Sequence, residues 1–299
     1  MTDYGHDLMF GSFITPSAAG AQLALQLSQL ADREGLDLVT FQDHPYQPAF
    51  LDTWTLMTWI AAQTSRVRIV PNVINLPLRP PAVLARQAAS LDLLSGGRFE
   101  LGLGSGAFWD GISSMGGRRL TAGQAVTALS EGIDVIRELW DTTTRGGARV
   151  RGEYYSVDGA KRGPAPAHPV GIWIGAYKPK MLALTGAKGD GWLPSFDYLP
   201  EGVDSLIGMN AHIDAAAEKA GRPAAAVRRL LNLMRAEFSA NGTGFLDGPP
   251  QMWAEQLADV ALLHGTSGFI LGGDDVVKTQ RFAAEVAPAV REIVAAERL

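Results

Sequence analysis

Short apolar runs alternate with longer segments of helical period along almost the whole chain. Between the runs, apolar side chains recur at spacings of three and four, so that Val126, Leu129 and Ile133 lie on one face of a predicted helix. Such alternation is typical of βα units around a parallel sheet. Strands are predicted in about eight runs, at residues 8–14, 36–41, 67–74, 99–103, 170–174, 191–196, 229–238 and 268–271.

The length of the chain and the number of runs favour a closed barrel. Its 299 residues show no linker and no shift in composition, so we expect a single α/β domain over residues 1–299, folded as a (β/α)8 TIM barrel. An open, doubly wound sheet is the alternative. Residues 107–122 and 140–168 exceed the short connections of a minimal barrel. We expect these insertions at the carboxyl ends of the strands, either as lids or as surface loops.

The composition points to a small molecule or another subunit as the partner. A formal net charge of -5 leaves no extended basic face for nucleic acid or an anionic membrane. The absence of cysteine excludes disulfides, thiol nucleophiles and cysteine-bound zinc, and the five histidines form no metal-binding motif. For the same reason we expect no bound metal. We find no secretion signal and no apolar stretch of about 20 residues, and therefore expect a cytoplasmic protein.

The second apolar run stops at two ionisable residues. Asp43 and His44 follow the run, and Pro45 cannot extend a ladder of backbone hydrogen bonds. Because the carboxyl ends of barrel strands carry the active sites of such folds, both side chains are candidate catalytic residues. Imidazole titrates near neutrality, so we expect His44 to transfer a proton and Asp43 either to orient it or to bind a ring substituent of the ligand. The alternative for His44 is a structural hydrogen bond to a loop carbonyl.

A glycine-rich segment follows the fourth run. Residues 102–107 match the dinucleotide fingerprint G-x-G-x-x-A, but residues 108–116 are a poor start for a helix. No acidic residue closes a second strand about 20 residues later, so the fingerprint is rejected. We expect instead that the strand end lacks side chains on one side, so that a flat ligand contacts Gly104, Ser105 and Gly106. The alternative is a strand pressed against its neighbour.

The fifth run leads into a turn suited to an anion. Gly175 permits close approach to the backbone, and the helix that follows offers unpaired N–H groups. Lys178 and Lys180 add positive charge. The sequence therefore predicts a phosphate site here, with an ordinary turn and solvated lysines as the alternative.

Four segments together resemble the bacterial luciferase-like superfamily. They are the strand end Asp43-His44, residues 71–75, residues 97–106, and residues 174–176 with 187–192. The resemblance spans most of the chain and is specific as a set. It implies a TIM barrel that binds FMN or the deazaflavin coenzyme F420 at the carboxyl ends of its strands. Members are commonly dimers, so it also implies a homodimer.

The resemblance also implies where the cofactor lies. A phosphate site is expected at Gly175, Ala176 and Tyr177. A non-prolyl cis peptide between Asn72 and Val73 is expected to support the back of the isoalloxazine ring.

The Asp-His pair at the second strand end resembles F420-dependent relatives such as sugar-phosphate dehydrogenases. Flavin-using monooxygenases more often have a Glu-His-His sequence there, so we expect F420, with FMN as the alternative. Deazaflavin moves only hydride, whereas reduced FMN also reacts with oxygen, so the cofactor decides between a dehydrogenase or reductase and a monooxygenase. Lys178, Lys180, Arg118 and Arg119 are candidates for binding the acidic tail of F420.

Aromatic residues near strand ends complete the candidate site. Trp192 is expected to flank the cofactor, and Phe13, Phe108 and Trp109 to line the substrate pocket, with a core position as the alternative for each. Partly apolar loops predict a small, moderately hydrophobic substrate. A flavin-binding protein without turnover is the alternative in another class. A serine hydrolase is poorly supported, because the segment around Ser105 lacks the G-x-S-x-G turn. A lyase would need a Schiff-base lysine or metal carboxylates at the strand ends, and none is evident.

Overall fold

Strands and helices alternate through residues 3–299, which the computed structural model describes. The strands are β1 Met9–Ile14, β2 Leu38–Phe41, β3 Arg68–Pro71, β4 Ile74–Asn75, β5 Leu101–Gly104, β6 Ala148–Val150, β7 Val157–Ala160, β8 Ile172–Ile174, β9 Gly191–Trp192, β10 Arg228–Leu233, β11 Glu237–Phe238, β12 Asp247–Gly248 and β13 Gly268–Gly272. The helices are α1 Ala21–Arg33, α2 Thr53–Gln63, α3 Pro81–Ser95, α4 Trp109–Ser114, α5 Ala122–Trp140, α6 Pro179–Lys188, α7 Ser205–Lys219, α8 Pro250–His264, α9 Val276–Arg281 and α10 Ala287–Glu297. None of the helices in this described range has the length and apolar composition needed to cross a bilayer.

Nine strands form one sheet that curves into a nearly closed barrel. Their order is β3-β2-β1-β13-β10-β9-β8-β5-β4, and neighbouring strands are parallel. β3 and β4 are two halves of one strand, so the nine strands occupy eight positions. A bridge between Ile69 and Phe99 joins the two edges. The predicted (β/α)8 class is therefore confirmed, and the open, doubly wound alternative is wrong.

Apolar side chains fill the barrel and cover its outside. Leu38, Trp173, Leu230 and Ile270, each from a different strand, form one buried cluster inside, and Val73 packs against it. The outward faces of the strands pack against the helices in a larger cluster. Full burial of one such side chain stabilises the fold by about 1.5–3 kcal/mol. The two apolar layers hold the strands in place, so that their carboxyl ends form one rim.

The third strand bulges between β3 and β4. Its Asn72–Val73 peptide bond is cis, as predicted. β5 accommodates the bulge with glycine: a Cβ on Gly102 would lie 1.9 Å from the carbonyl oxygen of Pro71, and one on Gly104 would lie 2.7 Å from Cγ2 of Val73. The neighbouring strand therefore fills the space that a flat ligand was expected to use. For these two glycines the contacts support the alternative of a strand pressed against its neighbour, and cofactor contact at Gly104 stays a prediction.

Both predicted insertions contain regular structure, and they contact each other. The first contains α4, which begins at Trp109 although the sequence predicts no helix there. The second forms the antiparallel hairpin of β6 and β7, and the carboxylate of Glu131 accepts three backbone N–H groups of its turn at 2.7–2.9 Å. The guanidinium of Arg118 in the first insertion lies 5.3 Å from the ring centroid of Tyr154 in the second. Neither insertion is a free surface loop.

Replacing Gly102 by alanine should destabilise the protein, because the new methyl group overlaps a backbone oxygen that cannot turn aside. We expect G102A to lower the free energy of unfolding by about 1–3 kcal/mol, measured by urea denaturation. G123A is the matched control, since its methyl group meets nothing within 4 Å on helix α5. It should leave stability unchanged or raise it by about 0.5–1 kcal/mol. Equal stability of the two variants would contradict the packing of β5.

Candidate active site

Asp43 lies beyond the carboxyl end of β2 in a buried ion pair. Its Oδ2 accepts hydrogen bonds from Arg79 Nε at 2.8 Å and from the backbone N–H of Asn75 at 3.0 Å. Its Oδ1 accepts from Arg79 Nη2 at 2.8 Å, and the carboxylate has 0% exposure. Two parallel bonds to one guanidinium are the strong form of this pair. Among the described residues Asp43 makes no hydrogen bond to the His44 ring, so the predicted orienting contact is not formed.

His44 is hydrogen-bonded to Tyr46. Its Nδ1 lies 2.5 Å from Tyr46 Oη, and the residue is half-buried. The ring of Phe108 stands edge-on to His44 with 5.3 Å between centroids, and the ring of Phe50 lies at 6.4 Å. Gly111 of α4 packs on Tyr46 so closely that a Cβ there would lie 2.7 Å from Cγ of the ring. Three aromatic rings thus enclose His44, and the first insertion covers it.

Burial shifts the pKa values of His44 and Tyr46. It lowers the pKa of His44 below the usual histidine range, although the charge of Asp43 acts in the opposite direction. Burial also raises the pKa of Tyr46 to about 12, with the Asp43 charge adding to the effect and a side-chain hydrogen bond with Asn75 opposing it. At neutral pH, Tyr46 is therefore an uncharged hydroxyl and His44 is mostly an uncharged ring. Such a ring is suited to proton transfer.

Amide and hydroxyl groups cross the mouth of the barrel. Asn72 Nδ2 donates to Oδ1 of Asn232 at 2.7 Å and to Thr40 Oγ1 at 3.4 Å. Asn232 Nδ2 donates to Ser195 Oγ at 3.1 Å, and the backbone N–H of Ser195 donates to the hydroxyl of Tyr177 at 2.8 Å. The network connects the cis bulge with β10 and with the turn after β8. It places hydrogen-bonding groups over the apolar interior of the barrel.

The turn after β8 leads into the N-terminus of α6. Pro179, the first residue of that helix, has no backbone N–H, and the N–H of Met181 donates to the carbonyl oxygen of Lys178 at 2.9 Å. Among the first three helical residues, the N–H of Lys180 is therefore the one that a ligand could use. Trp192 supports the turn, because its Nε1 donates to the carbonyl oxygen of Ala176 at 2.8 Å. Gly175 leaves room beside the bulge: a Cβ there would lie 3.5 Å from Cγ2 of Val73. The turn, the bulge and the polar network therefore border one region of the rim.

Several predicted site residues lie in other environments. Trp192 is 1% exposed, so it presents no face to a cofactor. Trp109 packs against the start of α5, and Phe13 is 9% exposed inside the barrel. Gly106 has a φ of +91°, and a Cβ there would lie 2.9–3.1 Å from neighbouring side chains. Ser105 is half-buried at the rim, and Phe108 is the aromatic residue of this group that reaches His44.

The basic residues near the rim differ in availability. Lys178 and Lys180 are exposed at the start of α6. Arg119 is paired with Asp110, and Arg118 lies over a tyrosine ring of the hairpin. The two lysines are therefore the better placed to meet an anion, whereas the two arginines hold the insertions.

The sequence alone does not identify three residues that make the hydrogen bonds of the site, namely Arg79, Tyr46 and Asn232. Arg79 lies 36 residues from Asp43, and no local pattern joins them. Tyr46 lies two residues from His44, so its hydroxyl could have been considered as a partner. Asn232 is a polar residue within an apolar strand, which is the one signal that it faces something other than a helix.

One cavity lies at the opposite end of the barrel. It has a volume of about 300 Å³ and is lined by residues that end α5 or precede β8, namely Arg137, Trp140, Asp141, Pro166, His168, Pro169 and Val170. A cavity of about 60 Å³ lies beside the end of β10. The larger of these two cavities therefore lies at the amino ends of the strands. The ionisable pair and the polar network favour the carboxyl ends, where barrels of this type carry their chemistry.

Comparison with known sequences gives one family match and several relatives. A family model described as luciferase-like monooxygenase matches residues 5–236. An uncharacterized protein of Mycobacterium tuberculosis is 30% identical over 233 residues, 74% of this chain and 75% of that protein. An F420-dependent glucose-6-phosphate dehydrogenase of Amycolatopsis mediterranei is 34% identical over 169 residues, 54% of this chain and 50% of that protein. Pyrimidine monooxygenase RutA of Cronobacter sakazakii is 29% identical over 222 residues, 70% and 59% of the two chains.

Comparison with solved structures supports the same fold. An F420-dependent secondary alcohol dehydrogenase, solved with an F420-acetone adduct, superposes with a TM-score of 0.82. The match covers 95% of this chain and 99% of that chain at 18% sequence identity. At this identity the likeness is one of fold.

Two histidines should titrate on opposite sides of the ordinary value. Burial lowers the pKa of His44, whereas hydrogen bonds to Glu100 and Asp92 raise the pKa of His168. NMR titration, with signals assigned by H44N and H168N, should place His44 below about 6.5 and His168 above it. The stability that protonated His168 contributes is present below its unfolded pKa and is lost as pH rises through the raised folded value. Midpoints in the reverse order would contradict this assignment.

Proposed function

This chain belongs to the luciferase-like monooxygenase family, and on that basis we propose that it is an F420-dependent oxidoreductase. It transfers hydride to or from a small, moderately hydrophobic organic substrate at the carboxyl ends of its strands. The observation that carries the proposal is His44, half-buried and bonded to Tyr46 through Nδ1, at the rim that also carries the cis bulge.

The residues at the barrel mouth fit a flavin or deazaflavin. Gly175 leaves room beside Val73, and the amides of Asn72 and Asn232, which bond to each other, would supply donors and acceptors to the cofactor ring. Oδ1 of Asn75 is buried without a partner among the described residues, and a donor on the ligand would satisfy it. The Lys180 N–H at the start of α6, with the exposed side chains of Lys178 and Lys180, would hold a phosphate. When bound, deazaflavin gives or accepts hydride, whereas reduced FMN also reacts with oxygen.

His44 moves the proton that accompanies hydride transfer. In this proposal Nδ1–H donates to Tyr46 Oη, and the free Nε2 takes the proton of a substrate hydroxyl or, as imidazolium, returns it to a carbonyl oxygen. An acceptor at Nδ1 keeps its hydrogen bond in both protonation states of the ring, because both nitrogens of imidazolium are donors. Tyr46 can serve as that acceptor, since its raised pKa keeps it uncharged.

The surroundings of His44 favour a neutral substrate. Three aromatic rings surround the imidazole. The nearby guanidinium of Arg79 is already paired with Asp43 and Asp52, so it is not free for a phosphate or carboxylate group. A neutral alcohol or carbonyl compound with an apolar body is therefore favoured over a sugar phosphate.

F420 is preferred to FMN on the strand-end sequence Asp43-His44 and on the relative named as an F420-dependent dehydrogenase. Lys178 and Lys180 are exposed at the start of α6 and would be available to the acidic tail of F420. An FMN-dependent monooxygenase is the second candidate, favoured by the relative named as a pyrimidine monooxygenase, which matches more of the chain.

Parallel titrations with F420 and FMN should separate the two cofactors. We expect saturable quenching of F420 fluorescence and no saturable FMN binding over the same range. K178A together with K180A should weaken F420 binding and should be compared with K219A, which removes a lysine exposed at the end of α7. FMN binding with oxygen consumption would favour the monooxygenase. Binding of either chromophore without turnover by any hydride donor, alcohol or carbonyl compound would favour a flavin-binding protein without catalysis.

Loss of the imidazole should affect turnover rather than folding. We expect H44N to lower kcat/KM by about 10²–10⁴-fold, and Y46F by about tenfold, in a steady-state assay with saturating cofactor. H212N, on the exposed face of α7, is the control and should keep the wild-type rate. Unchanged turnover in H44N would remove the proton-transfer role.

A further inference from the structure

A single guanidinium contacts both ends of the loop that carries the proton-transfer pair. The loop runs from Asp43 to Asp52 and contains His44 and Tyr46. Arg79 binds the first carboxylate through Nε and Nη2, each at 2.8 Å, and reaches Oδ1 of the second carboxylate through Nη2 at 2.6 Å.

Each end of the loop is in turn part of a larger element. Asp43 accepts the backbone N–H of Asn75, at the end of the third strand. Asp52 is the N-cap of α2, where its Oδ2 accepts from the backbone N–H of Thr55 at 2.8 Å. Arg79 itself directly precedes Pro80, the N-cap of α3, and Pro81, its first residue. The guanidinium therefore joins the second strand, the third strand and two helices at one point beside Asp43.

The same guanidinium compensates a buried charge. The side chain of Asp43 has no exposed surface, and that of Arg79 is 15% exposed. Without the guanidinium, the carboxylate next to His44 would keep one backbone N–H as its partner and would act on the imidazole without a counter-charge.

We propose that Arg79 is the positioning residue of this site: it fixes both ends of the His44 loop and neutralises the carboxylate that adjoins the imidazole. The proposal goes beyond the proposed function and, for its catalytic part, rests on His44 as the proton-transfer residue. Among the residues that the structure describes, the charged and titratable groups of the His44 loop and its contacts are Asp43 and Tyr46 on the loop, Asp52 at α2, and Arg79 before α3. On α4, Asp110 is 97% exposed and paired with Arg119.

The experiment is an NMR titration of His44 in the full-length protein without added cofactor. R79Q removes the counter-charge and should raise the pKa of His44, because Asp43 then acts on it alone. D43N removes the carboxylate and should lower the pKa of His44 further, because only the cation remains. R79K keeps the charge and loses the two-pronged contact, so it should leave the titration of His44 near that of wild type.

R162Q is the matched control for loss of a buried arginine. Arg162 is 9% exposed and is paired with Glu138 and Asp141, on the hairpin side of the molecule. R162Q should leave the titration of His44 unchanged even if it lowers the melting temperature as much as R79Q does.

Opposite shifts in R79Q and D43N support the proposal, because simple loosening of the loop would move both variants upward, toward the value of an exposed histidine. A His44 midpoint that stays in place in R79Q, or that rises in D43N, would overturn it. In turnover assays R79K should lose at least tenfold in kcat with little change in KM, and a wild-type kcat would exclude the positioning role. The NMR result is independent of any cofactor, so failure of the F420 assignment would leave it standing.

Discussion

The fit of the third strand against two glycines of β5 is the contact on which the site depends. Gly102 and Gly104 carry no side chain where the Pro71 carbonyl and the Val73 side chain press against them. Because β5 has no side chains at these two positions, the third strand can bulge and still close the barrel. The bulge directs Asn72 across the mouth and brings the Asn75 N–H to Asp43. A packing constraint between two strands thus sets the polar groups of the rim.

The sequence predicts the strands and the rim because these depend on local pattern. Each barrel strand lies within or overlaps its predicted run, and the second strand ends just before Asp43-His44. The cis bulge followed from resemblance and not from periodicity. Glycine is expected at positions 102 and 104 both where a ligand approaches the backbone and where a neighbouring strand does. The sequence pattern alone could therefore not decide between a ligand and a strand. Arg79 is recognisable only once the fold has brought it to Asp43 across 36 residues.

The two ends of the barrel differ in what their charged groups do. At the amino ends, His168 links Asp92 and Glu100, with Arg68 beside Glu100, in contacts that connect the starts of strands. At the carboxyl ends, the charges of Asp43 and Arg79 cancel, and the imidazole above them meets aromatic rings. This division follows the general behaviour of barrels, in which one rim contributes to stability and the other to chemistry.

The contact between Arg118 and Tyr154 has a consequence for how such a barrel can diverge or be redesigned. Helix α4 packs on Tyr46, and the insertion that contains it contacts the hairpin of β6 and β7, which follows α5 in the sequence. Glu131 of α5 binds the turn of that hairpin. If the first insertion alone were transferred to another barrel, it would lose its contact with the hairpin. The two segments therefore form one exchangeable module, although they are separated in sequence by α5.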